Sequence, residues 1–524
     1  MIIPKPEYAE FISDKKLNLH PNKIMIDANG FDKSCYSAFL KRMKFQCSDA
    51  AGVKIIVCKS ELLAAEEYEL NINSEGVLIN AAEECGVIYA LVTLLQLIDQ
   101  HGFVPHCRIK DKPKYQHRGL SLDCVRSFFY IDDVKKIIEQ MSLVKLNTLH
   151  WHLSDDQGWR IESLRYPKLH EQNSDKYYTQ EEIKDIVAFA ALRGIDIVPE
   201  IDMPGHMTGL LAAYPEHSCS EVSVGLAKCG GVYPVILCAG KDSTFSIVED
   251  LLDEICSLFP ASRFHIGGDE APKKEWRKCP HCKKRMRENN LCNEEDLQGY
   301  FSNRISDMLK KHGKKAICWN DSLEANNLNS DIDIQFWSVQ YAEFFHKLVD
   351  NGGKFIYSDM FTFYFDYPYS MTPLRRVYND PIQVLDTDYA NHDALLGIEA
   401  CVWSEYIDTP ERLETLLFPR LYAVAERAWS THLDYDDFKY RLMRFVSLYH
   451  PAHMGCTPPE GWNPRGQARQ QETISHMKAM KSGMTEEIRK ETKENIRQSK
   501  LFDEKFLASF FNLAEDAVLL SHMK

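Results

Sequence analysis

The stretch HRGLSLDCVRSFFYIDDVKKIIEQMSLVKLNTLHWHLSD, His117–Asp155, decides the fold. It opens on a short apolar run, HRGLSLD, continues as an amphipathic segment starting near Asp132, and closes on a second apolar run, TLHWHLSD. Strand, helix and strand in about 30 residues form the repeating unit of a parallel sheet. The rhythm continues downstream. Further strands are expected at DIVPEID, RFHIGGDE, KAICWND, IDIQFWS, KFIYSDM and LLGIEACVWSE, and further helices near Thr179, Ser243, Asn293 and Pro410. Thr179 opens TQEE, a capping-box pattern with Thr179 as N-cap and Glu182 at the third helical position. Eight strands with intervening helices predict an α/β fold, a (β/α)8 TIM-type barrel over residues 111–450. The fifth crossover, SLEANNLNSD, is short and does not read as a helix, so an irregularity is expected there.

Outward from the barrel, residues 1–110 read as a small N-terminal α/β domain. VKIIVCK is rich in β-branched residues and predicts a buried strand. YELNI and GVLIN, separated by Asn73, Ser74 and Glu75, predict a hairpin, and Ala81 to Ile98 a helix with Gly86 inside it. Beyond His450, Pro458, Pro459 and Pro464 break the pattern, and residues 451–524 read as a charged C-terminal helical segment. The chain has 524 residues, 44% of them hydrophobic and 26% charged, which excludes disorder and small disulfide scaffolds. A net charge of −14 without a basic tract argues against nucleic-acid or anionic-membrane partners. The 16 cysteines show no repeating spacing and read as reduced thiols. The apolar run GVIYALVTLLQLI is too short to span a bilayer, and MIIPKPEYAEFISDKK lacks the features of a signal peptide, so a cytoplasmic chain is expected.

In such a barrel the chemistry belongs at the C-terminal strand ends. Those ends carry Asp123 and Arg126, Asp155 and Asp156, Asp202 and His206, Asp269 and Glu270, Trp319 and Asp321, Trp337, Tyr364 and Asp366, then Trp403 and Glu405. Aromatic walls with converging carboxylates and a guanidinium suit a sugar, whose apolar faces stack while its hydroxyls take charged partners. Three Trp at strand ends exceed what barrel packing calls for, since branched aliphatics usually fill barrel interiors. In HIGGDE, Gly267 and Gly268 admit close approach, and the neighbouring Asp269 and Glu270 diverge in direction. The pair therefore does not face itself across a bond as an enzymic nucleophile and acid.

HIGGDE resembles the catalytic signature of the family-20 glycoside hydrolases, the β-N-acetylhexosaminidases. RGLSLDCVRSFF, KLNTLHWHLSDDQGWRIE, EIDMPGH, YFDYP, WSE and FPRLYAVAERAW resemble that family in the same order, from about Lys112 to Trp429. The resemblance implies an exo-acting retaining enzyme that removes terminal β-linked GlcNAc or GalNAc. The substrate's own acetamido oxygen serves as nucleophile and an oxazolinium ion forms, with no cofactor and no metal. Glu270 is implied as general acid/base, Asp269 as the group that orients the acetamido and stabilises its cation, and Tyr364 as the hydrogen-bond partner of its carbonyl. Trp319, Trp337 and Trp403 would wall the pocket, Arg126, Glu405 and Asp366 bind hydroxyls, and Asp155 with His206 support the acid/base. Burial by the Trp wall and the neighbouring Asp269 are expected to raise the carboxyl of Glu270. Tyr367 or Tyr369 could share the role of Tyr364.

Three other readings compete. His150 and His152 have the spacing of a metal-binding pair on one strand face, which admits a metal-dependent amide hydrolase with His206 and His265; support of Asp155 is the alternative role. Cys279-Pro-His-Cys282 resembles half a zinc knuckle, but no second CxxC is present and Cys292 is the only nearby addition, so no metal is assigned. A catalytically silent sugar-binding protein is the third, opposed by the retained Asp269, Glu270 and Tyr364.

Overall fold

The computed structural model describes residues 2–19, 24–31, 36, 39, 53–173, 175–384 and 387–483. Its centre is a closed barrel of eight parallel strands: His117–Asp123, Thr148–His152, Asp196–Glu200, Arg263–His265, Lys315–Trp319, Asp333–Phe336, Phe355–Tyr357 and Leu395–Val402. The eighth strand closes on the first, with Gly397 opposite His117 and Val402 opposite Leu122. Each strand lies within one of the eight expected runs. The expected helices are Ile131–Leu143, Gln180–Ala191, Asp242–Cys256, Glu294–Lys311 and Pro410–Leu417. Thr179 forms the full capping box with Glu182. The fifth crossover holds only the 3-10 turn Asn320–Glu324, the irregularity that its sequence suggests.

The N-terminal domain is larger than a hairpin and one strand. Six strands lie in the order Tyr8–Asn18, Phe103–Asp111, Tyr68–Asn73, Gly76–Ala81, Val53–Lys59, Ile24–Asn29. The hairpin pairs Asn73 with Gly76 as expected. The helix Glu84–Leu97 is buried on nearly every face, because it is packed between this sheet and the barrel. The seam between the two units is polar and closed to water. Lys145, fully buried on the barrel, donates to Asp111 Oδ2 at 2.8 Å and to the Tyr68 hydroxyl at 2.9 Å. Trp429 Nε1 donates to the other Asp111 oxygen at 2.8 Å. Beyond the barrel, the described part of the C-terminal segment, residues 451–483, holds the 3-10 turn Pro459–Gly461 and the helix Gly466–Gly483; residues 484–524 lie outside the described residues. Among the described residues no helix is long and apolar enough to cross a membrane.

The barrel interior departs from the expectation of branched aliphatics. His117 Nε2 meets Glu399 Oε2 at 2.7 Å, and Glu399 Oε1 meets His150 Nδ1 at 2.9 Å. His150 Nε2 lies 3.1 Å from Glu200 Oε2, which is also bonded to His152 Nδ1. Gln335 donates to Glu399 at 2.7 Å. A column of imidazoles and carboxylates thus runs up the barrel axis, each group meeting at least one other, which is what burial of charge requires.

Candidate active site

The column ends at the mouth of the barrel. His152 Nε2 hydrogen-bonds Asp155 Oδ2 at 2.8 Å, and Asp155 Oδ1 meets His206 Nδ1 at 3.1 Å. His206 Nε2 then lies 3.4 Å from Glu270 Oε2 and 3.9 Å from Asp269 Oδ2. His206 and Glu270 both have left-handed backbone, with φ of 50° and 47°. Strain of this kind clusters where a side chain must be aimed. Gly267, at φ +66°, is needed for a second reason: a Cβ there would lie 1.7 Å from Asp202 Oδ1.

From Glu270 the contacts circle the mouth. Its backbone N–H donates to Asp321 Oδ1 at 3.1 Å, and Asp321 Oδ2 accepts from Trp337 Nε1 at 2.6 Å. Trp337 stacks with Tyr364, ring centroids 6.4 Å apart, and Tyr364 stands 6.0 Å from Trp403 at a steep angle. The Arg126 guanidinium lies 5.1 Å over Trp403. It pairs with Asp155 at 2.7 Å and reaches towards Glu405 at 3.8 Å. The structure therefore brings Asp269, Glu270, Tyr364, Arg126, His206, Trp337, Trp403 and Glu405 around one pocket. Tyr364 stands between the two tryptophans, with Tyr367 beside it at 6.3 Å between ring centroids and also facing His476, while Tyr369 packs on Arg420.

Asp155 is 1% exposed with its oxygens taken up by Arg126, His152 and His206, so it positions other groups. Three placements correct the expectations. Trp319 is also 1% exposed, and its indole N–H donates down to Glu200 Oε1 at 2.9 Å; it forms the floor beneath Trp403, not an open wall. Glu270 stands at the rim, 42% exposed rather than enclosed by the tryptophans. Burial acts on Asp269, whose carboxyl is pushed up to about 6 by desolvation and by Glu270 and Glu200, with His206 opposing. Lastly, His150 supports Glu200 and Glu399; only His152 supports Asp155. Of the imidazoles proposed for an amide hydrolase, His150 and His265 are engaged with Glu200 beneath Trp319, whose ring lies 4.8 Å from His265 and 6.0 Å from His150, while His152 and His206 are engaged with Asp155.

Asp321 stands at a strand end, and the resemblance implies no role for it. It ties the Glu270 backbone to the Trp337 indole, and burial followed by Asp269 pushes its carboxyl up to about 7. Asp366 is raised to about 8 by burial and by Glu405. His206 is held well above its usual value: burial opposes the cation, but Asp155 and hydrogen bonding to Asp155, Asp156 and Glu270 outweigh it.

The column predicts a pH profile of stability. His150 is raised from 6.5 to about 9, burial opposing and Glu200 and Glu399 outweighing it. Its contribution is full below about pH 6.5 and is lost as pH climbs through about 9. Glu399 is lowered, burial being outweighed by His150 and His117, so its contribution is present above its unfolded value of 4.5 and lost as pH falls through its folded one. The melting temperature, followed by circular dichroism, is expected to be highest near pH 5–6.5 and to decline towards pH 9. A flat profile from pH 6 to 9 would remove the charged imidazole from the core.

Comparison with known proteins places this geometry. "Glycosyl hydrolase family 20, catalytic domain" matches residues 115–432, and "Glycosyl hydrolase family 20, domain 2" matches residues 2–112. A beta-hexosaminidase of Porphyromonas gingivalis is 38% identical over 414 residues, covering 72% of this chain; the chain spans about half (53%) of that relative's length. A β-N-acetylhexosaminidase structure from Bacteroides fragilis superposes with a TM-score of 0.79 at 30% identity, over 87% of this chain and 97% of that one. An exo β-N-acetylglucosaminidase of Vibrio harveyi, solved with N-acetylglucosamine, gives 0.76 at 30% identity, over 85% of this chain and 76% of that one. With more than half of its length matched to the catalytic domain, the chain belongs to glycosyl hydrolase family 20.

Proposed function

We propose that the chain is an exo-acting, retaining β-N-acetylhexosaminidase that removes terminal non-reducing β-linked GlcNAc or GalNAc. The observation that carries this is Asp269 Oδ1, a buried carboxylate oxygen without a hydrogen-bond partner beside Glu270 and the tryptophan–tyrosine wall. An amide N–H from the substrate satisfies it. Arg126 Nε and Asp366 Oδ1 are likewise buried without a hydrogen-bond partner, and a sugar's hydroxyls supply both an acceptor and a donor. The N-acetylglucosamine in the Vibrio harveyi relative supports the same substrate class.

Glu270, at the open rim beside His206, protonates the leaving oxygen. The acetamido oxygen, held between Asp269 and Tyr364, attacks the anomeric carbon from the opposite face, an intramolecular step that needs little further ordering. Asp269 carries the anion that stabilises the oxazolinium ion. Glu270 then takes a proton from water as the ring opens, and two attacks at one carbon retain the configuration. An aryl β-GlcNAc separates the competing classes in one assay. This reading requires release of the phenol and N-acetylglucosamine; an amide hydrolase would release acetate, and a silent binder nothing.

Asp269 must be ionised to act, so kcat/KM is expected to fall as pH drops through about 6. Asp202, Asp269 and Asp321 interact, so the limb reports the group as a unit. The pH–rate profile of Asp269→Asn checks this: the acidic limb should move or vanish in its residual activity. An unchanged limb would assign it elsewhere.

A further inference from the structure

Four cysteines scattered between positions 219 and 282 converge on one point. Cys219 Sγ lies 3.7 Å from Cys282 Sγ, and Cys238 Sγ lies 3.7 Å from both Cys279 Sγ and Cys282 Sγ. All four sulfurs fall within 4.8 Å of one another. A disulfide brings sulfurs to about 2.0 Å. A tetrahedral zinc with Zn–S bonds of about 2.3 Å separates them by about 3.8 Å. The observed spacing is that of a thiolate tetrahedron. We propose that Cys219, Cys238, Cys279 and Cys282 bind one Zn(II) as a closed structural site.

The backbone builds this convergence. Ser218 and Leu237 form an antiparallel bridge, and Cys238 N–H donates to His217 O at 2.8 Å, so Cys219 and Cys238 leave two strands of one loop side by side. Cys279 precedes the helix Pro280–Glu288 and Cys282 lies on its first turn, which puts both thiols on the same side. Gly240 lets the segments touch: a Cβ there would lie 2.1 Å from the His281 carbonyl carbon. Trp276 Nε1 adds a bond to Leu237 O at 2.8 Å. Cys238, Cys279 and Cys282 are buried and Cys219 is partly so. Four sulfurs facing one another make poor packing and weak hydrogen bonds, whereas thiolate sulfur is a preferred zinc ligand.

Binding forms four Zn–S bonds, breaks four S–H bonds and releases four protons to solvent, leaving a dianionic complex. Two cations border the site: Lys241 Nζ donates to Ser218 O at 2.8 Å and pairs with Glu221, and Arg285 Nη2 donates to Gly240 O at 3.2 Å and pairs with Asp242. With four protein ligands the metal has no open position, so it takes no part in glycoside cleavage.

What it fastens does bear on the pocket. The loop closed by Cys219 and Cys238 runs to the rim, where Ala227 N–H donates to Asp156 O at 2.9 Å and Cys229 O accepts from Gln157 Nε2 at 2.9 Å. Gly230 abuts Glu405: a Cβ there would lie 2.8 Å from Glu405 Cγ. Cys279 and Cys282 belong to the connection that begins with Asp269 and Glu270. The site ties the loop beside Glu405 to the segment carrying the acid/base.

The test is metal analysis of the full-length chain purified under reducing conditions, a readout independent of activity. About one zinc per chain is expected, released when a mercurial titrates the thiols, and cobalt in its place should show the intense visible bands of a tetrahedral tetrathiolate. Cys279→Ser with Cys282→Ser should lose the metal, while Cys292→Ser, at an exposed thiol, should keep it. The metal-free chain should melt lower and show a raised KM more than a lowered kcat. If the double variant fails to fold, zinc content and the cobalt spectrum of the wild type still decide. Substoichiometric zinc after expression in zinc-supplemented medium without cobalt bands, disulfides among these four cysteines, or iron in place of zinc would overturn the assignment.

Discussion

Replacing Glu270 by Gln is expected to slow cleavage of oligosaccharide β-N-acetylhexosaminides by about 10²- to 10⁴-fold, the scale of general acid–base help. The amide keeps the size and the backbone bond from Glu270 N–H to Asp321, so the fold should be unaffected. What disappears is the proton for a leaving alkoxide. An aryl group with a low pKa leaves without that proton, so the loss should shrink for nitrophenyl substrates provided glycoside cleavage limits the rate. The contact to His206 at 3.4 Å makes a second comparison possible. His206→Asn leaves the carboxyl in place but unsupported, and should alter the pH profile more than the maximal rate. Equal losses of Glu270→Gln on good and poor leaving groups would falsify the assignment of the acid.

Asp269→Asn is expected to lower kcat by about 10²- to 10³-fold, the cost of removing one preorganised electrostatic partner of a transition state. Ground-state binding should weaken far less, since Asn still accepts the acetamido N–H while offering no charge to the cation. A complementary comparison leaves the enzyme intact and alters the substrate. A β-glucoside with a 2-hydroxyl lacks the internal nucleophile and should be turned over hardly at all. Proton NMR of the first-formed product should show retained β configuration. A trapped glycosyl ester on any carboxylate, or an α product formed first, would remove the acetamido nucleophile from the mechanism.

How far the sequence reaches differs between the parts of the molecule. The barrel strands were legible because each is an apolar run ending in a polar or aromatic residue, and Thr179 with Glu182 marked a helix start to the residue. The pocket was legible because its residues sit at those ends and carry the family's motifs. The axial column was not. HRGLSLD, TLHWHLSD, DIVPEID and LLGIEACVWSE display His117, His150, His152, Glu200 and Glu399 openly, but alternation along a strand says only which residues share a face. It does not say that faces from different strands meet as imidazole and carboxylate. The same holds for Asp155 and Trp319, whose burial comes from Arg126, His206 and Trp403 packing over them. The cysteine cluster was half visible: Cys279 and Cys282 sit three apart, while Cys219 and Cys238 reach them only through a loop whose return path no local pattern reveals.

The buried seam at Lys145 bears on how the molecule comes apart. Its ammonium sits on the barrel, its counter-charge at the end of the last strand of the N-terminal sheet, and the same Asp111 holds the indole of Trp429. Taking away one partner of a buried ion pair costs about 3–5 kcal/mol, a large share of the stability of an ordinary domain. Neither unit can therefore melt first without stranding a charge in the other. The two should denature together, in a single calorimetric transition. A barrel expressed from Pro113 onward should accumulate as aggregate, for lack of a carboxylate that lies two residues upstream.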